Sequence, residues 1–320
     1  MHITEYQYLE AIITKRQEMH DLKVNFDKFY GISKKYLSQY LNPVGNLQDY
    51  RNPPRMSDAE IIALSVCQEA LGIDSENWFH SKLKSDYSSH FTHLPHITRY
   101  NYRCKRLAYW TQKLNEIIAR QKNEGENYFI VDSMPVPVCK NAIEKRLKAC
   151  CEVFETAPDK GFSAVNRQYF IGYKLHMVIS LKGVCHSMDL SKASVHDLHY
   201  LNDVKASGIN NCTIIADMGY LSSEHQLDLF TTHQVKLQTP MRSNQKSFKP
   251  FPFVFKKCRK RIETLFSQMC DHMMIKRNYA KTFNGLASRM VCKMTATTIL
   301  QFINYQNGRP INQIKHALAA

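Results

Sequence analysis

The chain has 320 residues, and its 43 Lys and Arg exceed its 28 Asp and Glu, giving a net charge of +15 and a pI near 9.3. That length suits a core of about 150 to 200 residues with an appended region, and so basic a surface draws polyanions, nucleic acid first among them. The ten cysteines are scattered, with no C-x-x-C pair and with Cys150 and Cys151 adjacent, which argues against a disulfide framework or a zinc finger and for reduced thiols in a cytoplasmic protein. The opening residues, Met1 to Tyr6, are polar and acidic where a signal peptide is basic and then apolar, and no apolar run approaches the length of a membrane span.

Residues 1 to about 120 read as helical. Tyr8, Ile12 and Ile13 recur at helical spacing, as do Phe26, Phe29, Tyr36, Leu37, Tyr40 and Leu41. After a Pro- and Gly-containing loop over 42–55, Ser57-Asp-Ala-Glu60 forms a capping box ahead of Ile61, Ile62 and Leu64. From Pro95 the cations Arg99, Arg103 and Arg106 fall on one helical face, opposite Tyr100, Leu107 and Trp110, a row that suits phosphate contact as well as a solvated face. The polar, Gly-containing stretch 121–126 is the natural boundary. The chain therefore divides into an all-helical N-terminal domain, residues 1–124, and a second domain, residues 125–320.

The second domain opens with the strand Tyr128-Phe-Ile-Val-Asp132. Pro135 and Pro137 are expected to stop its pairing, and about 138–167 reads as a basic, partly irregular excursion. A strand over 169–180 turns at Lys182-Gly183 into another over 184–190. There follow a helix over 195–207, a strand over 213–217, a helix over 222–233, a strand over 235–239 and helices from about 256 onward. This order predicts an α/β fold with a mixed five-stranded sheet and helices on both faces.

Two of these strands end in a carboxylate, at Asp132 and Asp217. An ionised Asp in an apolar strand must be neutralised, hydrogen-bonded or bound to a cation, and two such residues side by side are tolerable mainly with a divalent metal between them. The third acid is Glu263, in the most basic stretch of the chain, with Lys256, Lys257, Arg259, Lys260 and Arg261 before it. It lies at the edge of the stripe Ile262, Leu265, Phe266 and Met269 and is expected to face the sheet. Taken alone, Arg259 and Glu263 at four-residue spacing also make an ordinary surface ion pair. His176 reads either as a core histidine or as a residue beside the metal and is left out of the catalytic set, and Asp189, Asp197 and Asp203 rank below Asp217 as second acids because hairpin-end, helix-start or surface roles account for them.

The ordered set Val131-Asp132-Ser-Met-Pro, Phe170-Ile-Gly-Tyr-Lys174-Leu-His176, Ala193-Ser-Val-His-Asp197, Ala216-Asp217-Met-Gly-Tyr220 and Arg259-Lys-Arg-Ile-Glu263 resembles the DDE transposases of bacterial insertion sequences, and most of all the group named after insertion sequence nine-eighty-two. The resemblance implies a ribonuclease H-like catalytic domain with Asp132, Asp217 and Glu263 as catalytic, metal-binding triad. It implies two Mg²⁺ ions, for which Mn²⁺ can substitute, and double-stranded DNA partners, namely terminal inverted repeats and target. It also implies a homodimer or higher assembly and a place in the bacterial cytoplasm, at the nucleoid. Arg99, Arg103, Arg106, Lys174, Lys256, Lys257, Arg259, Lys260 and Arg261 are the cations expected to meet DNA. In a related larger group the last acid carries a Tyr, Arg, Glu, Lys signature; here Arg259 and Glu263 fit it, while Lys256 takes the Tyr place and Cys270 the Lys place. A ribonuclease H-like nuclease or resolvase, and a decayed DNA-binding protein without turnover, share most of these features.

Overall fold

A computed structural model describes residues 21–140, 145–163, 167–245 and 248–318. These divide into two compact units. A helical unit takes in the residues up to Ile118, His272–Met274 and those from Ser288 onward; a sheet unit takes in Ala119–Asp271 and Ile275–Ala287. The last helix therefore belongs, from Ser288, with the helical unit and not with the sheet domain expected over 125–320. Its buried face explains this: Cys292, Ala296, Ile299, Leu300 and Ile303 join the same core as Phe26, Phe29, Ile61, Leu64, Phe79 and Leu83. Tyr8, Ile12 and Ile13 lie outside the described residues.

In the helical unit, α1 (Leu22–Leu37) is capped by Asp21, whose carboxylate accepts from the amides of Lys23 and Val24. In α2 (Asp58–Ala70) the capping box is present in both halves, Ser57 accepting from the Glu60 amide and Glu60 from the Ser57 amide. α3 (Glu76–Asp86), α4 (Ile97–Arg106) and α5 (Ala108–Lys122) follow. Two buried charge clusters hold this unit together. Arg103 of α4 donates to the Met56 carbonyl at 2.6 Å and to Asp58 at 2.6 Å, and Asp58 also accepts from the Tyr50 hydroxyl. Glu69 of α2 is bound by Arg289 at 2.7 Å and by the fully buried Lys293, both from the final helix. Burying these charges is tolerable because each finds an opposite charge and further hydrogen bonds.

Among the described residues the sheet unit carries six strands in place of the expected five. They are β1 (Tyr128–Lys140), β2 (Asp159–Ser163), β3 (Gln168–Ser180), β4 (Cys185–Lys192), β5 (Thr213–Ile215) and β6 (Lys236–Gln238). Their order is β2-β3-β1-β5-β6, with β4 also paired to β3. The added strand lies in the basic excursion, and β1 runs on through both prolines, Pro135 opposite Lys174 and Pro137 opposite Gly172. Proline removes a donor, but two prolines two residues apart point that loss toward one edge of the strand. β5 pairs with β1 at Tyr128–Ile130, before the prolines, so β3 continues to pair on the other edge. A bulge follows between Pro137 and Cys139, where a Cβ on Gly172 would come within 2.4 Å of the Val136 carbonyl. Only glycine allows this approach.

The hairpin at Lys182-Gly183 forms as expected, with Gly183 at φ +89°. One sheet face, with Phe129, Val131, Val178, Ile214 and Ala216, is covered by Tyr200, Leu201 and Val204 of α6 (Tyr200–Ala206) and Leu229 of α7 (Ser223–His233). Helix α8 (Phe253–Asp271) contacts β1 and β5 and buries Ile262, Leu265, Phe266 and Met269. All ten cysteines are free thiols. Among the described residues no helix is long and apolar enough to cross a membrane.

Because Arg103 is 4% exposed and neutralises the fully buried Asp58, Arg103→Ala leaves a buried carboxylate unpaired. Denaturant unfolding should show a loss of about 3 to 5 kcal/mol; a loss below about 1 kcal/mol would return Arg103 to the exposed row of cations, facing DNA or solvent, first expected for it.

Candidate active site

The parallel pairing of β1 and β5 sets the site. Ile130 lies opposite Ile215, so Asp132 and Asp217 each stand two residues beyond the last β1–β5 pair, at the same level. Asp132 continues in β1, level with Met177 of β3. Asp217 comes where the strand ends and the short turn Met218–Tyr220 begins. Alternation along the strands directs these two side chains to the face opposite Val131 and Ala216, and Arg259 of α8 meets them there. One nitrogen of its guanidinium is 3.1 Å from Asp217 Oδ1 and the other 3.4 Å from Asp132 Oδ2.

Arg259 thus takes the place, between two like charges, that the sequence assigns to a metal, and it engages strand carboxylates and not Glu263. Its planar fork is suited to bridging two acceptors. The Asp132 carboxylate, 18% exposed, also accepts from the Ser133 amide at 2.8 Å. Burial nevertheless pushes its pKa up to about 6, with Asp217 adding to the rise and the Ser133 amide and Arg259 opposing it. Ionising Asp132 therefore costs more here than in water.

Glu263 departs from the expected orientation: it is exposed, at the solvent border of the buried stripe on α8. Four-residue spacing still puts it on the same side of the helix as Arg259, one turn on. Among the described residues no group of three His, Cys, Asp or Glu side chains is gathered closely enough to hold a metal ion. The two gathered donors are hard carboxylate oxygens, one of them poorly solvated and both drawing on a single cation, a donor type that hard divalent cations take.

The remaining cations divide into two groups. Lys256, Lys257, Lys260 and Arg261 are exposed along α8. Lys174 is not a free phosphate contact, since its ammonium is held at 2.9 Å by Asp197 and at 2.8 Å by the Val195 carbonyl. Asp197 was a rival acid in the sequence; it lies beside the turn after Asp217, where a Cβ on Gly219 would be 3.6 Å from its Oδ2. Next to this pair, His176 is buried, stacks on Tyr200 at 4.8 Å and has Nε2 2.7 Å from Ser191 Oγ. Burial lowers its pKa to about 4, so it is a neutral core histidine. The hydroxyl of Tyr220 is buried without a hydrogen bond, and desolvation and the nearby Asp197 and Asp132 hold its pKa well above the usual value.

In the helical unit Arg99 and Arg106 are exposed while Arg103 turns inward. The two exposed guanidinium carbons lie 5.3 and 5.7 Å from the ring centre of Tyr102, itself 44% exposed. Sequence reasoning missed this clustering because Tyr102 reads as one aromatic among many.

Residues 123–299 match the model of the transposase DDE domain family. This is more than half of the chain, and the protein belongs to that family, a family of transposase enzymes. Comparison with curated proteins gives no match. Among solved structures, the Mos1 transposase paired-end complex with left transposon end is similar at 11% identity over 78% of this chain and 81% of that one, with a TM-score of 0.24.

The raised pKa of Asp132 carries a sign that can be measured. A group whose folded pKa lies above its unfolded value of 3.8 destabilises the fold once ionised, fully above about pH 6 and not at all well below pH 4. Asp132→Asn should therefore stabilise the metal-free protein at pH 8 by about 3 kcal/mol at most, with the gain vanishing toward pH 4. A pH-independent difference in thermal unfolding would contradict the assignment of a strained carboxylate.

Proposed function

We propose that this chain is a transposase of the bacterial insertion-sequence kind, nearest to the nine-eighty-two group, whose ribonuclease H-like sheet unit cleaves element ends and joins them to target DNA. The observation that carries the reading is the pair Asp132 and Asp217, held level by adjacent parallel strands and sharing one cation. Family membership over 123–299 supports it. Asp132, Asp217 and, one turn beyond Arg259, Glu263 are the residues that would hold Mg²⁺ or Mn²⁺. When bound, a pair of such ions activates the attacking oxygen and stabilises the leaving oxygen in a displacement at phosphorus.

The chain's own side chains supply the rest. Asp132 is held in orientation by the Ser133 amide. Arg259 balances the acids before substrate arrives, and its fork is equally suited to a phosphate. Lys256, Lys257, Lys260 and Arg261 present charge along an exposed helix next to the acids, where the phosphates of a duplex end would lie. Lys174 and Asp197 neutralise each other beside the turn after Asp217. In the helical unit, the exposed Arg99 and Arg106 remain the DNA contacts, without Arg103. The partners are duplex terminal repeats and target DNA, in a homodimer or larger assembly at the bacterial nucleoid.

The test is an end-cleavage and strand-transfer assay on a donor with terminal repeats, with and without Mg²⁺. Asp132→Asn, Asp217→Asn and Glu263→Gln should each reduce cleavage more than about a hundredfold while duplex affinity holds or rises. Cleavage retained in Asp217→Asn would remove the triad. Nicking without joined products would make the protein a nuclease of the same fold, and no metal-dependent nicking at all would make it a DNA-binding relic.

Exchange of Arg99 and Arg106 for Ala should lower the salt dependence of duplex binding by a slope of about 0.9 for each phosphate no longer neutralised. Titrating affinity against salt checks this; an unaltered slope would place the DNA-binding cations elsewhere.

A further inference from the structure

At the outer edge of the sheet, the β2–β3 hairpin exposes aromatic rings that no core requires. Phe162 and Tyr169 are a cross-strand pair, 53% and 56% exposed, with ring centres 5.1 Å apart. The ammonium of Lys160 stands 4.7 Å from the Tyr169 ring centre. Nearby in the excursion, Phe154 is 85% exposed, with Lys192 5.1 Å from its ring and bonded to its carbonyl. Lys145, Arg146, Lys148 and Arg167 of the same excursion are exposed as well. Exposed rings beside an unpaired strand edge invite aggregation, yet here they are kept, on a short polar strand and ringed by cations.

Gly161 shows that the edge is built to sit where it does. A Cβ there would lie 2.7 Å from Ala193 Cβ, so glycine lets β2 close against the chain leaving β4, and the Ser194 hydroxyl fastens Asp159 at 2.7 Å. The hairpin is thus a fixed platform. Its orientation matters too: Tyr169 and Met177 share one face of β3, and Met177 is the register partner of Asp132. The platform therefore lies on the face of the sheet that carries the acids, about 26 Å further along the strand. Ile171, Tyr173 and Leu175 between them are buried, so a strand joining the two passes over the chain that covers them and needs at least about eight nucleotides at roughly 3.4 Å each.

We propose that Phe162 and Tyr169, with Lys160, form a stacking site for unpaired DNA bases on the strand leading to or from the acid pair. This rests on the proposed action on DNA and adds the state of the DNA, frayed or single-stranded, that this edge receives. Charge selects a polyanion, and paired aromatic faces with interleaved cations are what sequence-tolerant single-strand binding uses. A duplex backbone needs the cations but not the rings.

Full-length protein is titrated, by fluorescence anisotropy, with labelled oligo(dT) of sixteen nucleotides and with a blunt duplex. Paired exchange of Phe162 and Tyr169 for Ala should weaken oligo(dT) binding at least about tenfold and change duplex binding less than about twofold. Phe162→Tyr with Tyr169→Phe should restore the wild-type value, and an unshifted melting temperature shows that these exposed positions leave the fold intact. An oligo(dT) affinity equal to wild type in the Ala pair overturns the stacking site, as does an equal loss for both DNAs. A change of oligomeric state in the Ala pair, with oligo(dT) binding kept, assigns the edge to a second copy of the chain instead. Wild type that binds neither DNA overturns the DNA reading itself, whereas wild type that binds duplex with an inert Ala pair overturns the stacking site alone.

Discussion

The sheet unit is arranged around a single electrostatic demand: two carboxylates brought level by neighbouring parallel strands require positive charge between them. Arg259 supplies it, reaching both Asp132 and Asp217 from α8. Parallel pairing makes the demand unavoidable, because the register that aligns Ile130 with Ile215 also aligns the two acids. The buried stripe on α8 then fixes which residue answers it. Ile262, Leu265, Phe266 and Met269 hold the helix on the sheet, and Arg259 lies three residues before Ile262, on the side of the stripe toward the acids.

Around this centre the other charges are sorted by solvation. Lys174 and Asp197 satisfy each other beside the turn that follows Asp217. In the helical unit Arg103 and Asp58, and Lys293 and Arg289 with Glu69, are buried pairs whose members lie far apart in the chain. Such pairs contribute little net stability over apolar replacements, but they penalise any arrangement that leaves one member alone. Among the cations that stay in water are the lysines and Arg261 of α8, Arg99 and Arg106 around Tyr102, and those beside the rings of the β2–β3 hairpin, the groups that the proposed function assigns to a polyanion.

Much of this was legible along the chain. Apolar runs bounded by turn residues gave β1, β3, β4, β5 and β6; the capping box gave the start of α2; and the order of elements gave a mixed sheet. Asp132 and Asp217 were found because a lone carboxylate in an apolar strand is costly to bury. The prolines misled, because their effect depends on which edge of β1 has a neighbour. β2 was hidden in a polar stretch, since an edge strand has little apolar surface to bury and so leaves a weak pattern. Arg103 misled for a related reason: a row of cations at helical spacing does not reveal that one of them faces Asp58, forty-five residues earlier.

By itself, then, the sequence determined the periodic elements, the basic character and the identity of the two strand acids, because these follow from local burial and spacing. Only the tertiary structure decided which charge meets which. It put Arg259 between the acids, left Glu263 in solvent at the edge of its helix, turned Arg103 inward, and moved the last helix into the helical core. Those outcomes rest on long-range register and on the cost of desolvating a charge without a partner, quantities that belong to pairs of residues and so cannot be read from either one alone.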